Sequence, residues 1–132
     1  MNRSQEREQA FIILFEKAFN PDISEEELIS MAEESEFIQA TPFTEKLIRN
    51  ALENSDAIDK TIEEHSVGWS LPRMTRVSLA ILRLAVGELL YADDIPSSVT
   101  INEAVELAKK YAGKKDSAFI NGVLGSIVRG GE

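Results

Sequence analysis

The sequence predicts an all-α protein of about six to seven helices, and three observations carry that prediction. Apolar residues recur at helical spacing through most of the 132 residues. No stretch of useful length alternates apolar and polar residues as a half-buried strand would. Helix-start signals stand just ahead of the apolar stripes.

Taken in order, Ser4 is placed to cap a first helix to about Phe19, with Ala10, Phe11, Leu14, Phe15 and Ala18 on its apolar face. Asn20-Pro21-Asp22 breaks the chain. Ser24 and Glu27 read as a capping box, flanked by the staple pair Ile23 and Leu28, so a short acidic helix follows. Thr41-Pro42 is a cap followed by proline at the first helical position, and Phe43, Leu47, Ile48 and Ala51 form the next stripe. Asn54-Ser55-Asp56 marks a break or a kink before Ile58 and Ile62. Gly68 separates an N-terminal half of about residues 1–68 from a C-terminal half of about 69–132.

Trp69-Ser70-Leu71-Pro72-Arg73 opens the longest apolar helix, whose broad surface from Met74 to Leu89 implies a central element touched from several sides. Asp93-Asp94-Ile95-Pro96 stops it. Thr100 and Glu103 read as a second capping box, with Val99 and Ala104 as its staple, and Gly113 ends that helix. Asp116 or Ser117 starts the last one, and the tail from Arg129 to Glu132 is expected to fray. Gly122 and Gly125, three apart within it, suggest close approach of another backbone. Asn121, among apolar neighbours, reads as a buried hydrogen-bond hub.

Composition narrows the function. A chain this long makes one domain with a core that needs no staples. Cysteine is absent and His65 is the one histidine, which leaves neither a disulfide framework nor a plausible zinc site. No apolar run approaches about 18 residues, so no membrane span is expected. The polar N-terminus argues against a signal peptide, leaving the cytoplasm as the expected compartment. The net charge of −9 is uneven: residues 1–68 carry −10, residues 69–98 are neutral and residues 99–132 carry +1. That balance argues against non-specific nucleic-acid binding but leaves room for a local basic site. No catalytic constellation, phosphate loop or dinucleotide fingerprint is present, and no cofactor or metal is expected. His65 reads as an exposed helix-end residue and Trp69 as a bundle-closing one, with base stacking the alternative.

An arginine on the central apolar helix needs a partner. Arg83 is therefore expected in a buried or half-buried ion pair, with Glu88 or Glu103, tying the central helix to the next, with direct ligand contact the alternative.

INEAVELAKKY at residues 101–111, followed by FINGVL at 119–124, is a long and ordered motif. Trp69, Arg73, Ile81 to Ala85, Glu88 to Leu90, Ile95-Pro96 and Val99 extend it, and Arg7-Glu8 with Ala10 and Leu14 fit more loosely. These residues resemble the NusB family of transcription antitermination factors, specifically over about residues 69–124 and in helix layout alone over 20–68. The resemblance implies a compact fold of two small packed helical bundles. It implies binding of the boxA element of ribosomal RNA leaders, jointly with the small-subunit ribosomal protein NusE, in an antitermination complex on RNA polymerase.

Carried over by position, the RNA contacts fall on Arg3, Arg7, Lys114 and Lys115, with Tyr111 and Phe119 near that turn as candidate stacking rings and Phe119 on the apolar stripe as well. The protein partner's contacts fall on Phe15, Pro72, Arg73 and Ser78. Cations attract phosphate and an aromatic ring stacks an unpaired base. The N-terminal segment MNRSQERE holds two arginines where many relatives are more basic, so the partner is expected to supply much of the basic surface. Self-association into a homodimer is open. The rival readings are a helical protein adaptor without RNA binding and the NusB-like module that accompanies ribosomal RNA cytosine methyltransferases.

Overall fold

A computed structural model describes residues 2–35, 40–66 and 68–130. Side-chain caps decide where most helices begin. Helix α1, Arg3–Phe19, starts at Asn2, not Ser4: the Asn2 side chain accepts from the Gln5 amide at 2.8 Å, and Gln5 answers to the Asn2 amide at 2.9 Å. Ser4 instead reaches across the fold and donates to Glu103 at 2.8 Å. Helix α2, Glu25–Glu34, is capped by Ser24, and α3, Pro42–Glu53, by Thr41 with Pro42 in its first turn. Asn54 breaks the chain before α4, Ser55–His65.

A single 3₁₀ turn over Leu71–Arg73 precedes α5, Arg76–Tyr91, which Thr75 caps. Helices α6, Ser97–Tyr111, and α7, Lys114–Gly130, complete seven α-helices among the described residues, where no strand occurs. Gly131 and Glu132, half of the tail expected to fray, lie outside the described residues.

The start of α6 differs from the expected one. Pro96 occupies the N-cap and the helix begins at Ser97, so Thr100 lies inside it and makes no cap. Its hydroxyl donates to the Glu88 carboxylate instead. Val99 is an exposed helical position, so no staple forms.

Helix α5 is central, touching α1, α3, α4, α6 and α7. From Ala80 to Glu88 only Arg83 is not buried. Each large aliphatic side chain there, such as Ile81 or Leu82, stabilises the fold by about 1.5–3 kcal/mol through burial. Helix α1 packs on α2 and α3 as well as on α5, and α7 packs on α4 and α6 as well as on α5.

Close backbone approach occurs at Gly87, not at the two glycines of α7. A methyl group at Gly87 would stand 3.5 Å from the Ala51 backbone, whereas one at Gly122 would meet nothing. One at Gly125 would meet only the far end of Arg129. Asn121, expected as a buried hub, is exposed. His65 is half-buried, its Nδ1 2.9 Å from Ser126 Oγ on α7.

Candidate nucleic-acid interface

The α6–α7 corner is built on Gly113. Its φ of +111° is one that L side chains rarely adopt, and its amide closes α6 onto the Ala108 carbonyl at 2.8 Å. Helix α7 then begins at once, at Lys114, two or three residues earlier than Asp116 or Ser117 would have started it. Lys114 and Lys115 therefore sit in its first turn, exposed and without an ion pair among the described residues. Cations at the positive end of a helix dipole raise each other's need for an anion, and the free backbone N–H groups there add donors. The corner is chemically suited to phosphate.

Beside it runs a seam between α1 and α6. Glu8 Oε2 accepts from both Lys110 Nζ and the Tyr111 hydroxyl, each at 2.5 Å. The Tyr111 ring lies 5.0 Å from that of buried Phe11 yet stays 40% exposed. Partial burial pushes the Glu8 carboxyl up, but the bonds from Lys110 and Tyr111 and the Lys110 charge outweigh it and hold its pKa below the ordinary carboxylate value. The same hydrogen bond and charge from Glu8 raise Lys110. Burial, and then Glu8, raise the Tyr111 phenol.

A cleft of about 370 Å³ opens between the 3₁₀ turn and the start of α7. Trp69, Arg73, Met74, Lys115, Asp116 and Phe119 line it. The rings of Trp69 and Phe119 stand edge-on at 6.0 Å, and the Arg73 guanidinium lies 5.5 Å from the Trp69 ring. Trp69 does close the bundle against α7, but at 45% exposure it also presents a face to solvent. This cleft joins two residues expected to meet a protein, Arg73 and Ser78, to two expected to meet RNA, Lys115 and Phe119.

Other expected site residues fall differently. Arg3 is exposed, paired with Glu6 at 3.0 Å and laid 3.9 Å from the Phe43 ring centre. Arg7 is a correction: it is 5% exposed and bonded to Glu88, so its charge is spent inside the protein. Ser78 is another: it is buried, and its hydroxyl donates to Asp116 at 3.0 Å. Phe15 is half-buried in an aromatic row between Phe11 and Phe19, while Pro72 and Arg73 are exposed.

The expected ion pair is also redrawn. Arg83 forms a two-point pair with Asp59 on α4, at 2.9 and 3.0 Å, and not with Glu88 or Glu103. Glu88 goes to Arg7 and Glu103 to Ser4. Among the described residues no three His, Cys, Asp or Glu side chains converge as a metal site.

A family model described as the NusB family matches residues 4–129 of the chain. This chain belongs to the NusB family. It is 40% identical over 130 residues to the transcription antitermination protein NusB of Acetivibrio thermocellus, covering 98% of this chain and 90% of that one. The fold superposes on T. maritima NusB with a TM-score of 0.88 at 35% identity, covering 98% and 92% of the two chains. It superposes with a TM-score of 0.84 at 30% identity on a chain of the crystal structure of antitermination factors NusB and NusE in complex with dsRNA, covering 98% and 99%.

Sequence reasoning missed several pairings that shape this NusB surface. Lys110 was legible only as a favourable cation at a helix C-terminus, because its partner Glu8 is 102 residues away. Arg76, whose guanidinium lies 4.4 Å from the exposed Phe19 ring, had no signal in the sequence beyond its place beside Thr75. No helix of the described residues is long and apolar enough to cross a membrane.

Proposed function

We propose that this chain is a transcription antitermination factor. It binds boxA-type RNA of ribosomal RNA leaders together with NusE and tethers that RNA to the RNA polymerase elongation complex, in the cytoplasm. The observation that carries this reading is the near full-length likeness to the NusB chain of a NusB–NusE–dsRNA assembly. Its mechanism is binding and not chemistry.

Arg3, Tyr111, Lys114, Lys115 and Phe119 are the RNA positions in this reading, and Phe15, Pro72 and Arg73 the NusE positions. The exposed lysines at the head of α7 and the shared cleft support it. Arg7 and Ser78, buried and bonded to Glu88 and Asp116, belong to neither set. The acidic N-terminal half, net −10 over residues 1–68, attracts a basic ribosomal protein and raises its rate of encounter.

The test is a titration of fluorescent boxA-type RNA against a scrambled control, at two salt concentrations, with and without NusE. Selective binding that tightens with NusE is the expected result. A second reading, a NusB-fold adaptor that docks NusE without RNA, is favoured by the burial of Arg7, which leaves Arg3 as the one exposed N-terminal arginine. Docking of NusE with no selective RNA binding in either state would select it.

A further inference from the structure

Lys110 and Tyr111 donate to one and the same oxygen, Glu8 Oε2, each at 2.5 Å. An ammonium and a phenol converging on a single anionic oxygen is a donor arrangement that also suits a backbone phosphate. It lies at the end of α6, one short turn before the exposed Lys114 and Lys115. We infer that Lys110 and Tyr111 form a backbone-phosphate site on the RNA face, and that Glu8 fills it in the free protein as an internal carboxylate that RNA displaces. This rests on the RNA-binding reading above and adds to it a site residue, Lys110, and a competitor, Glu8.

Three features make the exchange easy. The Lys110 side chain is 62% exposed against 24% for Glu8, and an ion pair whose cation is this open to water adds little to stability, so releasing Glu8 to solvent costs little. The Tyr111 ring rests on Phe11 independently of Glu8, so its hydroxyl keeps its place when the carboxylate leaves. Lys110 Nζ also stands 5.5 Å from the Tyr111 ring centre, which keeps the cation near the site. While Glu8 is seated, the site presents no free cation to non-specific polyanions.

The test compares wild type, Glu8→Gln, Lys110→Gln and the double variant, each with NusE, by titrating fluorescent boxA-type RNA and its scrambled control at two salt concentrations. Glu8→Gln keeps an acceptor oxygen for Tyr111 and removes the competing charge. It is expected to bind about three-fold more tightly, the scale of an exposed ion pair, with a salt slope steeper by about 0.7. Lys110→Gln binds more weakly, and the double variant binds no tighter than Lys110→Gln. A Glu8→Gln gain that persists in full without Lys110 is a general charge effect and overturns the site, as does no gain at all. Wild type that does not distinguish boxA from the scrambled RNA overturns the RNA reading itself, and this site with it. Glu8→Ala, read the same way, guards against an effect peculiar to glutamine.

Discussion

Arg7 on α1 and Glu88 on α5 meet as a two-point ion pair inside the protein, Nε to Oε1 at 2.8 Å and Nη2 to Oε2 at 3.2 Å. Thr100 of α6 donates its hydroxyl to the same carboxylate, so three helices share one buried charge pair. Removing one partner strands the other charge away from water. Arg7→Ala or Glu88→Ala is expected to cost about 3–5 kcal/mol. Replacing both by apolar residues of similar volume is expected to cost clearly less. Denaturant melts of the two single variants and the double check this. An Arg7→Ala protein of wild-type stability that no longer binds RNA would return Arg7 to the RNA face.

The second ion pair is a weaker one. Arg83 and Asp59 are bonded at two points but stand 32% and 26% exposed. Water already solvates much of both charges, so Asp59→Asn is expected to cost about 1 kcal/mol. A destabilisation as large as that of Glu88→Ala in the same melts would contradict this ranking.

Lys114 and Lys115 touch no anion among the described residues and sit where a helix dipole disfavours cations. Reversing both to glutamate is expected to leave the helical circular dichroism unchanged and to weaken RNA binding. The salt slope should fall by about 0.7 for each phosphate that the variant no longer neutralises. Unchanged RNA affinity in that double variant would remove both lysines from the interface.

Gly113, between the last two helices, and Gly122, inside the last, separate by backbone. Gly122 is helical and a methyl there meets open space, so Gly122→Ala is expected to stabilise by about 1 kcal/mol. Gly113 holds a positive φ, so Gly113→Ala is expected to destabilise by about 1 kcal/mol even though nothing crowds it. Thermal unfolding of the two variants checks both signs. A Gly122→Ala protein that changes its oligomeric state would show that another chain packs on that face.

The Glu8 seam predicts a pH dependence. The Glu8 carboxyl is held below its ordinary value of 4.5, so its ionised form favours the folded state. That contribution is complete above pH 4.5 and fades as the pH falls through the lowered value. Glu8→Gln is therefore expected to lower Tm slightly at pH 7, with the gap to wild type closing under stronger acid. A gap of the same size at both pH values would mean that Glu8 acts through packing.

What could be read from the chain was whatever depends on near neighbours. Ser24, Thr41 and Pro42 mark helix starts because a cap is a pairing across three residues. The break at Asn54 and the stop at Gly113 follow from the same short range. The apolar period alone made α5 central, and the burial from Ala80 to Glu88 follows it. Where a local signal met a partner across the core, the chain misled. Thr100-x-x-Glu103 has the form of a capping box, but the carboxylate of Glu88 across the core took the hydroxyl, and Pro96 had already started the helix.

Period, caps and motif order are written along one chain, and they were enough for the helical architecture, its central helix and the family to which it belongs. Which charges are free was settled by folding in three dimensions. Folding turned Arg7 inward to Glu88, sent Arg83 to Asp59, buried Ser78 on Asp116 and seated Glu8 between Lys110 and Tyr111. Those partners are 24 to 103 residues apart. Coulomb attraction and hydrogen bonding act over a few ångströms of space, and no spacing along the chain encodes which side chains folding brings that close.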